Sequence, residues 1–243
     1  MIDVAKRRIV FRYGQPGVPG SGPNLLNSPD DALMTPSGTI VAADIKNCRL
    51  IAISTRTHRI TKQLGKTGIC THSPPTLFGS PNSVFPTSNG GSLVTEINGN
   101  WVDLLNGHSG LVKAIHPPGF SYPSDTNEVR PGLYISVDYV NPGTIEMFRK
   151  DGRLVWRYSP RGVDELNQPS LAEVLPNGDV IANDDKNHRV VIIDRRTNRV
   201  VWQYGHTGRA GNRPGYLNTP DGLDLAPPHS LMMRFPNATL LRP

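Results

Sequence analysis

Short apolar runs alternate with polar turns along most of the chain, and the pattern within the runs has a period of two residues. The clearest stretch contains four runs, at Leu171–Leu175, Val180–Ala182, Arg189–Ile193 and Val200–Tyr204. A period of two with tight turns between the runs predicts four antiparallel strands rather than a helix. Because 23 prolines and 24 glycines interrupt the 243 residues, we expect no amphipathic helix of useful length.

A proline followed by a short polar residue marks an internal repeat. It recurs five times, at Pro29, Pro81, Pro123, Pro169 and Pro220. The spacing of roughly 40–50 residues is that of a propeller blade, which holds four strands. In the first four copies an acidic residue follows 15 positions after the proline, at Asp44, Glu96, Asp138 and Asp184. We interpret these four acids as staples of a tight turn, because asparagine and in two copies arginine follow them.

The repeat predicts an all-β fold, a five-bladed β-propeller that forms a single domain over residues 1–243. Four whole blades are expected at residues 29–64, 81–115, 123–158 and 169–204. The fifth is a composite, in which residues 1–13 supply the third and fourth strands and residues 220–235 the first and second. Such ring closure would remove the exposed sheet edge that makes all-β folds prone to aggregation.

Two turns carry the pattern Asp-x-x-Asn-x-Arg, at Asp44–Arg49 and Asp184–Arg189, each after a Pro-x-Gly turn. This pattern resembles that of the NHL-repeat family. The strand endings Trp156-Arg157-Tyr158 and Trp202-Gln203-Tyr204 are similar to those of quinoprotein-type propellers. The resemblance implies a propeller fold, although NHL propellers usually have six blades. It leaves the function open, because this architecture serves binding modules, lyases, lactonases and scaffolds alike.

The net charge of +6 and pI of about 9.5 raise the question of nucleic-acid binding. Most basic residues fall in turns between third and fourth strands, where solvated hairpin tips are the simpler interpretation. These turns hold no aromatic residue for stacking on bases, which disfavours RNA. We expect no signal peptide and no membrane-spanning segment, a monomer, and no sequence indication of localisation. Cys48 and Cys70 are expected on one face, as buried or free thiols in preference to a disulfide.

Candidate chemistry collects where the first strands line the central channel. The residues after the five prolines, Asp30, Asn82, Ser124, Ser170 and Asp221, should ring the mouth, with Asp31 and Asp125 beside them. Carboxylate and amide oxygens suit Ca²⁺. We therefore predict a divalent cation, Ca²⁺ first, held by Asp30, Asn82, Asp125 and Asp221, in a pocket lined by Asp31, Ser124, Ser170, Glu173 and His188. The alternative is that these short polar residues only cap turns.

Three histidines, His72, His116 and His206, lie in loops of the same face and are candidates for a general base or a metal ligand. The first functional hypothesis is a metal-dependent hydrolase of small esters, lactones or phosphotriesters, similar to propeller lactonases and arylesterases. The second is a non-catalytic NHL-type module that binds protein, glycan or RNA through one face. Chelation should abolish the hydrolase activity and leave binding through one face intact.

Overall fold

The computed structural model describes residues 1–3, 5–35 and 37–225. The described residues form eighteen strands. The first sheet contains β3 (Pro29–Met34), β4 (Thr39–Asp44), β5 (Arg49–Ser54) and β6 (Arg59–Leu64). The second contains β7 (Pro81–Pro86), β8 (Ser92–Glu96), β9 (Trp101–Leu105) and β10 (Leu111–Ile115). The third contains β11 (Pro123–Arg130), β12 (Leu133–Asp138), β13 (Thr144–Arg149) and β14 (Leu154–Tyr158). The fourth contains β15 (Ala172–Val174), β16 (Val180–Asp184), β17 (Arg189–Asp194) and β18 (Arg199–Gly205).

Each of these four sheets pairs its strands antiparallel in chain order, as the repeat predicts for a blade. The two middle strands of a blade are almost wholly buried, whereas the fourth strand is largely exposed. This gradient follows from a radial arrangement in which the first strand faces the axis and the fourth faces solvent. The basic tips between third and fourth strands, such as Arg56 and Arg196, are exposed.

The hydrophobic core lies between neighbouring blades. Val41 and Leu50 of the first blade pack with Val84 and Leu105 of the second, and similar clusters join the second to the third and the third to the fourth. Period-two alternation explains this arrangement, because each buried strand presents apolar side chains to the sheet on either side.

An apolar plug fills the centre of the channel. Leu33, Phe85, Leu171 and Leu223 come from four different repeats and pack in one cluster. Phe85 and Leu171 are almost completely buried. Within the described residues, these contacts join repeats that are not neighbours along the chain.

The fifth blade is only partly visible in the described residues. Strands β1 (Ile2–Asp3) and β2 (Arg8–Ile9) form a hairpin. Phe11 packs against Ile40 and Ile51, on the face of the first blade that points away from the second blade. This placement fits the predicted third and fourth strands. The predicted first strand at Gly222–Leu225 is not a strand, and the predicted second, Leu231–Phe235, lies outside the described residues. Ring closure and the single-domain boundaries stay predictions.

Two of the four acids that lie 15 residues after the prolines, Asp44 and Asp184, are turn staples with asparagine and arginine partners, as predicted. Asp44 accepts hydrogen bonds from the Asn27 backbone N–H, Asn47 Nδ2 and Arg49 Nε, at 2.7–2.8 Å. In the fourth blade, Asp184 has the same three kinds of partner, in Asn167, Asn187 and Arg189. Each acid is followed by a short 3₁₀ helix, at Ile45–Asn47 and Asp185–Asn187.

The expectation of free thiols is wrong, because Cys48 and Cys70 form a disulfide. Cys48 ends the first 3₁₀ helix in the left-handed conformation. The loop after the first blade returns to this helix, where the Gly68 N–H donates to the Asn47 carbonyl. The return brings the two Cα atoms within 5.1 Å, inside the range that a disulfide needs. None of the helices in the described ranges has the length and apolarity required to cross a bilayer.

Candidate functional site

Carboxyl groups from four repeats lie close enough to interact electrostatically. We call Asp30, Asp31, Asp125, Asp185 and Asp221 the acid ring. Asp221 raises the pKa of each of the other four through its charge, which places the five groups in one electrostatic neighbourhood.

Asn82 cross-links the acid ring between the first three blades. Its Nδ2 lies 3.1 Å from Asp30 Oδ2, 3.1 Å from Ser124 Oγ and 3.5 Å from Asp125 Oδ1. Asn82 is 2% exposed, so its amide cannot turn to water instead. The structure thus brings three of the four predicted metal-binding residues into direct contact, and Asp221 is joined to them electrostatically.

The local backbone explains why the residue after each proline faces the channel. Pro29 pairs with Asp44, Pro81 with Glu96 and Pro123 with Asp138, so the 15-residue spacing is the register of the first hairpin in the first three blades. The register then shifts after Asp30 in the first hairpin and directly after the proline in the other two. Such a bulge re-aims side chains out of the ladder. It directs the polar residues of the repeat toward the axis.

The residue before the proline takes a left-handed conformation in four of the five copies. The residues are Ser28, Ser80, Gln168 and Thr219, with φ between 48° and 59°. This turn redirects the chain from the long loop of the mouth into the inner strand. Asp31 also has a positive φ, of 26°, so the bulge of the first blade holds its backbone in a sparsely populated region.

Burial is the main cause of unusual proton affinity in the acid ring. It raises the pKa of Asp31 to about 7, with smaller contributions from the charges of Asp30 and Asp221. It raises the pKa of Asp185 to about 8, again with a contribution from Asp221. The pKa of Asp125 is raised well above its ordinary value by burial first and by Asp31 next. No lysine or arginine forms an ion pair with these three acids in the described ranges.

Two tyrosines extend the mouth beyond the predicted residues. Tyr122 and Tyr139 have ring centroids 5.5 Å apart. Burial and the charges of Asp185 and Asp221 raise the pKa of Tyr139 to about 12. Burial, Asp30 and Asp221 raise the pKa of Tyr122. Both phenols therefore stay protonated near neutral pH and can donate a hydrogen bond.

The remaining predicted lining residues have mixed positions. Ser170 Oγ donates to Asp185 Oδ1 at 3.0 Å, which connects Ser170 to the acid ring. His188 Nδ1 accepts from the Thr219 N–H at 3.1 Å and so anchors the fifth copy of the repeat to the fourth blade. Glu173 is buried within β15. Sequence reasoning did not predict Asp185 as a site residue, because Asp185 directly follows the staple Asp184 and was assigned to the same turn.

The three predicted catalytic histidines do not meet at the acid ring. His72 and His116 lie on the two sides of the Trp101 indole, with ring centroids 4.2 and 3.4 Å away. His206 contacts the Tyr216 ring at 4.1 Å. Across the described ranges, none of the three hydrogen-bonds to an acid-ring residue. Sequence reasoning could not place the tips of the loops that carry these histidines.

A second polar cluster, which sequence reasoning missed, lies in the second blade. His72 Nδ1 is 3.1 Å from Glu96 Oε1 and 3.8 Å from Asp103 Oδ2. Burial and the neighbouring Glu96 raise the pKa of Asp103 to about 10. We call these three residues the second-blade cluster. One signal was present in the sequence, because Asp103 interrupts the apolar run Trp101–Leu105.

No protein-family model and no curated protein matches the sequence. Solved structures do match. A protein of unknown function from Bacteroides caccae has a TM-score of 0.60 at 16% identity, over 83% of this chain and 66% of its own. A streptogramin B lyase has a TM-score of 0.54 at 15% identity, over 72% of this chain and 54% of its own. The WD40 β-propeller domain of Doa1 has a TM-score of 0.50 at 12% identity, over 68% of this chain and 50% of its own.

The chain spans between half and two thirds of the length of these solved structures. At such identities the likeness concerns the fold alone. The NHL type and the number of blades stay predictions. Together with four sheets of four antiparallel strands in chain order, the likeness establishes that the chain folds as a β-propeller.

Proposed function

We propose that the acid ring binds a divalent cation and that the protein is a metal-dependent hydrolase of small esters, lactones or phosphotriesters. One observation carries the proposal. Five carboxyl groups from four repeats interact electrostatically, and those of Asp30, Asp31 and Asp125 have no cationic side chain paired with them in the described ranges. Two carboxylates about 8 Å apart repel by roughly 2 kcal/mol at an effective dielectric near 20. A bound cation would relieve this repulsion.

The donor set favours Ca²⁺. Asp30, Asp125 and Asp221 offer only oxygen atoms as ligands, and Ca²⁺ takes six to eight oxygens in a flexible geometry. Asn82 would add its amide oxygen only after its side-chain amide turns over, because Nδ2 is the atom that faces Asp30 and Asp125. Asp30, Asn82 and Asp125 come from the inner strands of three separate blades, which the interblade cores hold in place. Ser124 lies beside them and supplies a further oxygen.

A bound divalent cation supplies Lewis-acid polarisation of a carbonyl or phosphoryl oxygen. The chain itself supplies a place for the substrate. A cleft of about 430 Å³ runs beside the acid ring and is lined by Phe11, Tyr13, Asp30, Asp31 and Ile40. Its apolar wall suits the acyl or aryl part of a small ester, and its acidic end lies at the proposed ligands.

Proton transfer is assigned to carboxyl groups in this proposal rather than to histidines. Asp31 and Asp185 belong to the acid ring but not to the proposed ligand set. Asp185 accepts a hydrogen bond from Ser170, which orients one of its oxygens. Either carboxylate can take a proton from an attacking water, while Tyr122 and Tyr139 remain hydrogen-bond donors at the mouth.

The alternative is a non-catalytic propeller that binds a partner or a small molecule at the same mouth. It is favoured by the separation of the histidines from the acid ring, since the general base expected from the sequence is not supplied by them. Both functions include cation binding at the acid ring, but only the hydrolase would turn over a substrate.

Purified protein should contain one equivalent of Ca²⁺, and EDTA should lower its melting temperature. Asp125→Asn should remove both the metal and the effect of EDTA. Asp151→Asn is the matched control, because Asp151 is an exposed aspartate in a hairpin turn. Absence of a divalent cation from the wild type, with no change in melting temperature on chelation or on adding Ca²⁺, would refute the site.

Turnover is tested separately on p-nitrophenyl acetate, a γ-lactone and a phosphotriester. The hydrolase proposal expects at least one of these to be cleaved in the presence of Ca²⁺ and not after chelation. Calcium binding without cleavage of any of the three would favour the non-catalytic alternative.

A further inference from the structure

The second-blade cluster departs from the way in which the other blades neutralise their buried acids. In the first and fourth blades Arg49 and Arg189 pair with the staple acid. In the third blade Arg157 pairs with a second buried acid, Glu146. The second blade has two fully buried acids, Glu96 and Asp103, and Trp101 stands where the first and fourth blades have arginine.

The strand register shows that the missing cation is not supplied from the fourth strand either. Asp103 is opposite Ala114, whereas Glu146 at the equivalent position is opposite Arg157. The small side chain of Ala114 leaves the carboxylate of Asp103 without a donor from β10. Both oxygens of Asp103 are buried and have no hydrogen-bond donor in the described part of the chain.

We propose that His72, Glu96 and Asp103 form a binding site for a first-row transition metal, with Zn²⁺ as its ion. The three ligand atoms lie within 4.8 Å of one another. His72 Nδ1 is 3.1 Å from Glu96 Oε1 and 3.8 Å from Asp103 Oδ2. Two ligands at about 2.1 Å from a tetrahedral zinc ion are roughly 3.4 Å apart. The observed separations bracket this value.

The ligand chemistry separates this site from the acid ring. One imidazole and two carboxylates form a set that zinc accepts, whereas Ca²⁺ takes oxygen ligands. As metal ligands, the two carboxylates would carry a charge of −2, which a divalent ion cancels. The site thus replaces the guanidinium of the other blades with a metal ion.

Neighbouring groups orient the ligands before any ion binds. The Trp101 indole stacks on the His72 imidazole with an interplanar angle of 10°. The Gly79 N–H donates to Glu96 Oε2 and leaves Oε1 for the metal. Such secondary contacts fix ligand orientation and tune metal affinity.

The loop that carries His72 is itself held in place. Cys70, two residues earlier, is bonded to Cys48 of the first blade, and its carbonyl accepts from Asn98 Nδ2 at 3.4 Å. The loop is therefore anchored to the first two blades on either side of the proposed site. The side chain of His72 is 22% exposed, so an ion can enter from solvent and keep one position for water.

Zinc binding should be measured on the full chain, by competition with a chromophoric chelator in saturating Ca²⁺. Wild type should bind one Zn²⁺, and His72→Ala and Asp103→Asn should each weaken binding roughly 100-fold. Co²⁺ should give the intense visible absorption of a tetrahedral site, which both variants should lose. Unchanged zinc affinity in both variants, or no zinc binding by the wild type, would overturn the proposal.

Two controls make the outcome specific. His116→Ala removes the second imidazole that contacts Trp101. The His116 ring bonds the Asn100 carbonyl and no acid of the second-blade cluster, so the variant should leave zinc affinity unchanged. Asp125→Asn alters the acid ring and should also leave it unchanged. Should Asp103→Asn fail to fold by circular dichroism, His72→Ala alone decides, since its side chain lies on a loop. A loss of zinc in His116→Ala equal to that in His72→Ala would show that loop disruption, not ligation, is being measured.

Discussion

Arg189 and Asp184 form a buried ion pair at the entrance to the third strand of the fourth blade, with Nε 2.7 Å from Oδ2. The guanidinium also reaches the Glu165 carbonyl and Gln203. One side chain therefore joins the second, third and fourth strands to the loop that precedes the blade.

Replacing Arg189 with methionine should destabilise the protein by about 3–5 kcal/mol, because the Asp184 carboxylate is left buried without its cation. Urea unfolding measures the loss. The matched control is Arg196→Met, since Arg196 lies 3.6 Å from Asp194 with its side chain 91% exposed. An exposed pair of this kind contributes less than about 1 kcal/mol. Equal losses in the two variants would contradict the role assigned to the buried pair.

The acid ring predicts an unusual pH dependence of stability in the presence of EDTA. Burial raises the folded-state pKa of Asp30, Asp31, Asp125 and Asp185 above the ordinary value, with Asp31 at about 7 and Asp185 at about 8. The folded state therefore holds more protons than the unfolded state between these values and about 4. Stability should fall as pH rises from 5 to 8, by up to about 1.4 kcal/mol per pH unit for each proton.

Melting temperatures in EDTA at pH 5 and pH 8 test this expectation. The wild type should melt lower at pH 8, and saturating Ca²⁺ should reduce the difference. Asp125→Asn should also reduce it, because one of the repelling carboxyls is then neutral. A wild-type protein that is more stable at pH 8 than at pH 5 in EDTA would show that the acid ring does not determine the pH dependence of stability.

Asn82→Ala should cost about 1–3 kcal/mol of stability, because Asp30 and Ser124 lose a buried donor that connects three blades. It should also weaken Ca²⁺ binding, measured by calorimetry. Asn177→Ala is a suitable control, since the Asn177 amide bonds Asp179 in an exposed turn. The idea of Asn82 as a cross-link fails if the two variants are equally stable.

The Cys48–Cys70 disulfide closes a loop with a sequence separation of 22 residues. Its removal in a Cys48→Ser/Cys70→Ser double variant should cost about 3 kcal/mol, mainly by enlarging the unfolded ensemble. Chemical denaturation under oxidising conditions measures this. A wild-type protein that is equally stable with and without a reductant would indicate that the bond is not formed in solution.

The repeat made much of the fold predictable. The 15-residue spacing is a hairpin register, so it placed Asp44 and Asp184 at the staple positions and Asp30 and Asn82 at the mouth. Local chemistry was enough for this, because proline and the bulge after it act within one hairpin.

What could not be predicted depends on loops whose paths no periodicity sets. The Cys48–Cys70 bond and the approach of His72 to Asp103 both result from the return of one loop across the face of the propeller. A charged residue in an apolar strand, Asp103, was the visible sign that something unusual faces it. The partner could be identified only from the three-dimensional structure.

The apolar plug of Leu33, Phe85, Leu171 and Leu223 joins repeats that are not neighbours along the chain. Leu33 shares its inner strand with Asp30, and Phe85 shares its own with Asn82. Packing of the plug therefore helps to fix the separation of these two polar residues. A substitution in the plug should reach the acid ring even though it changes no charge.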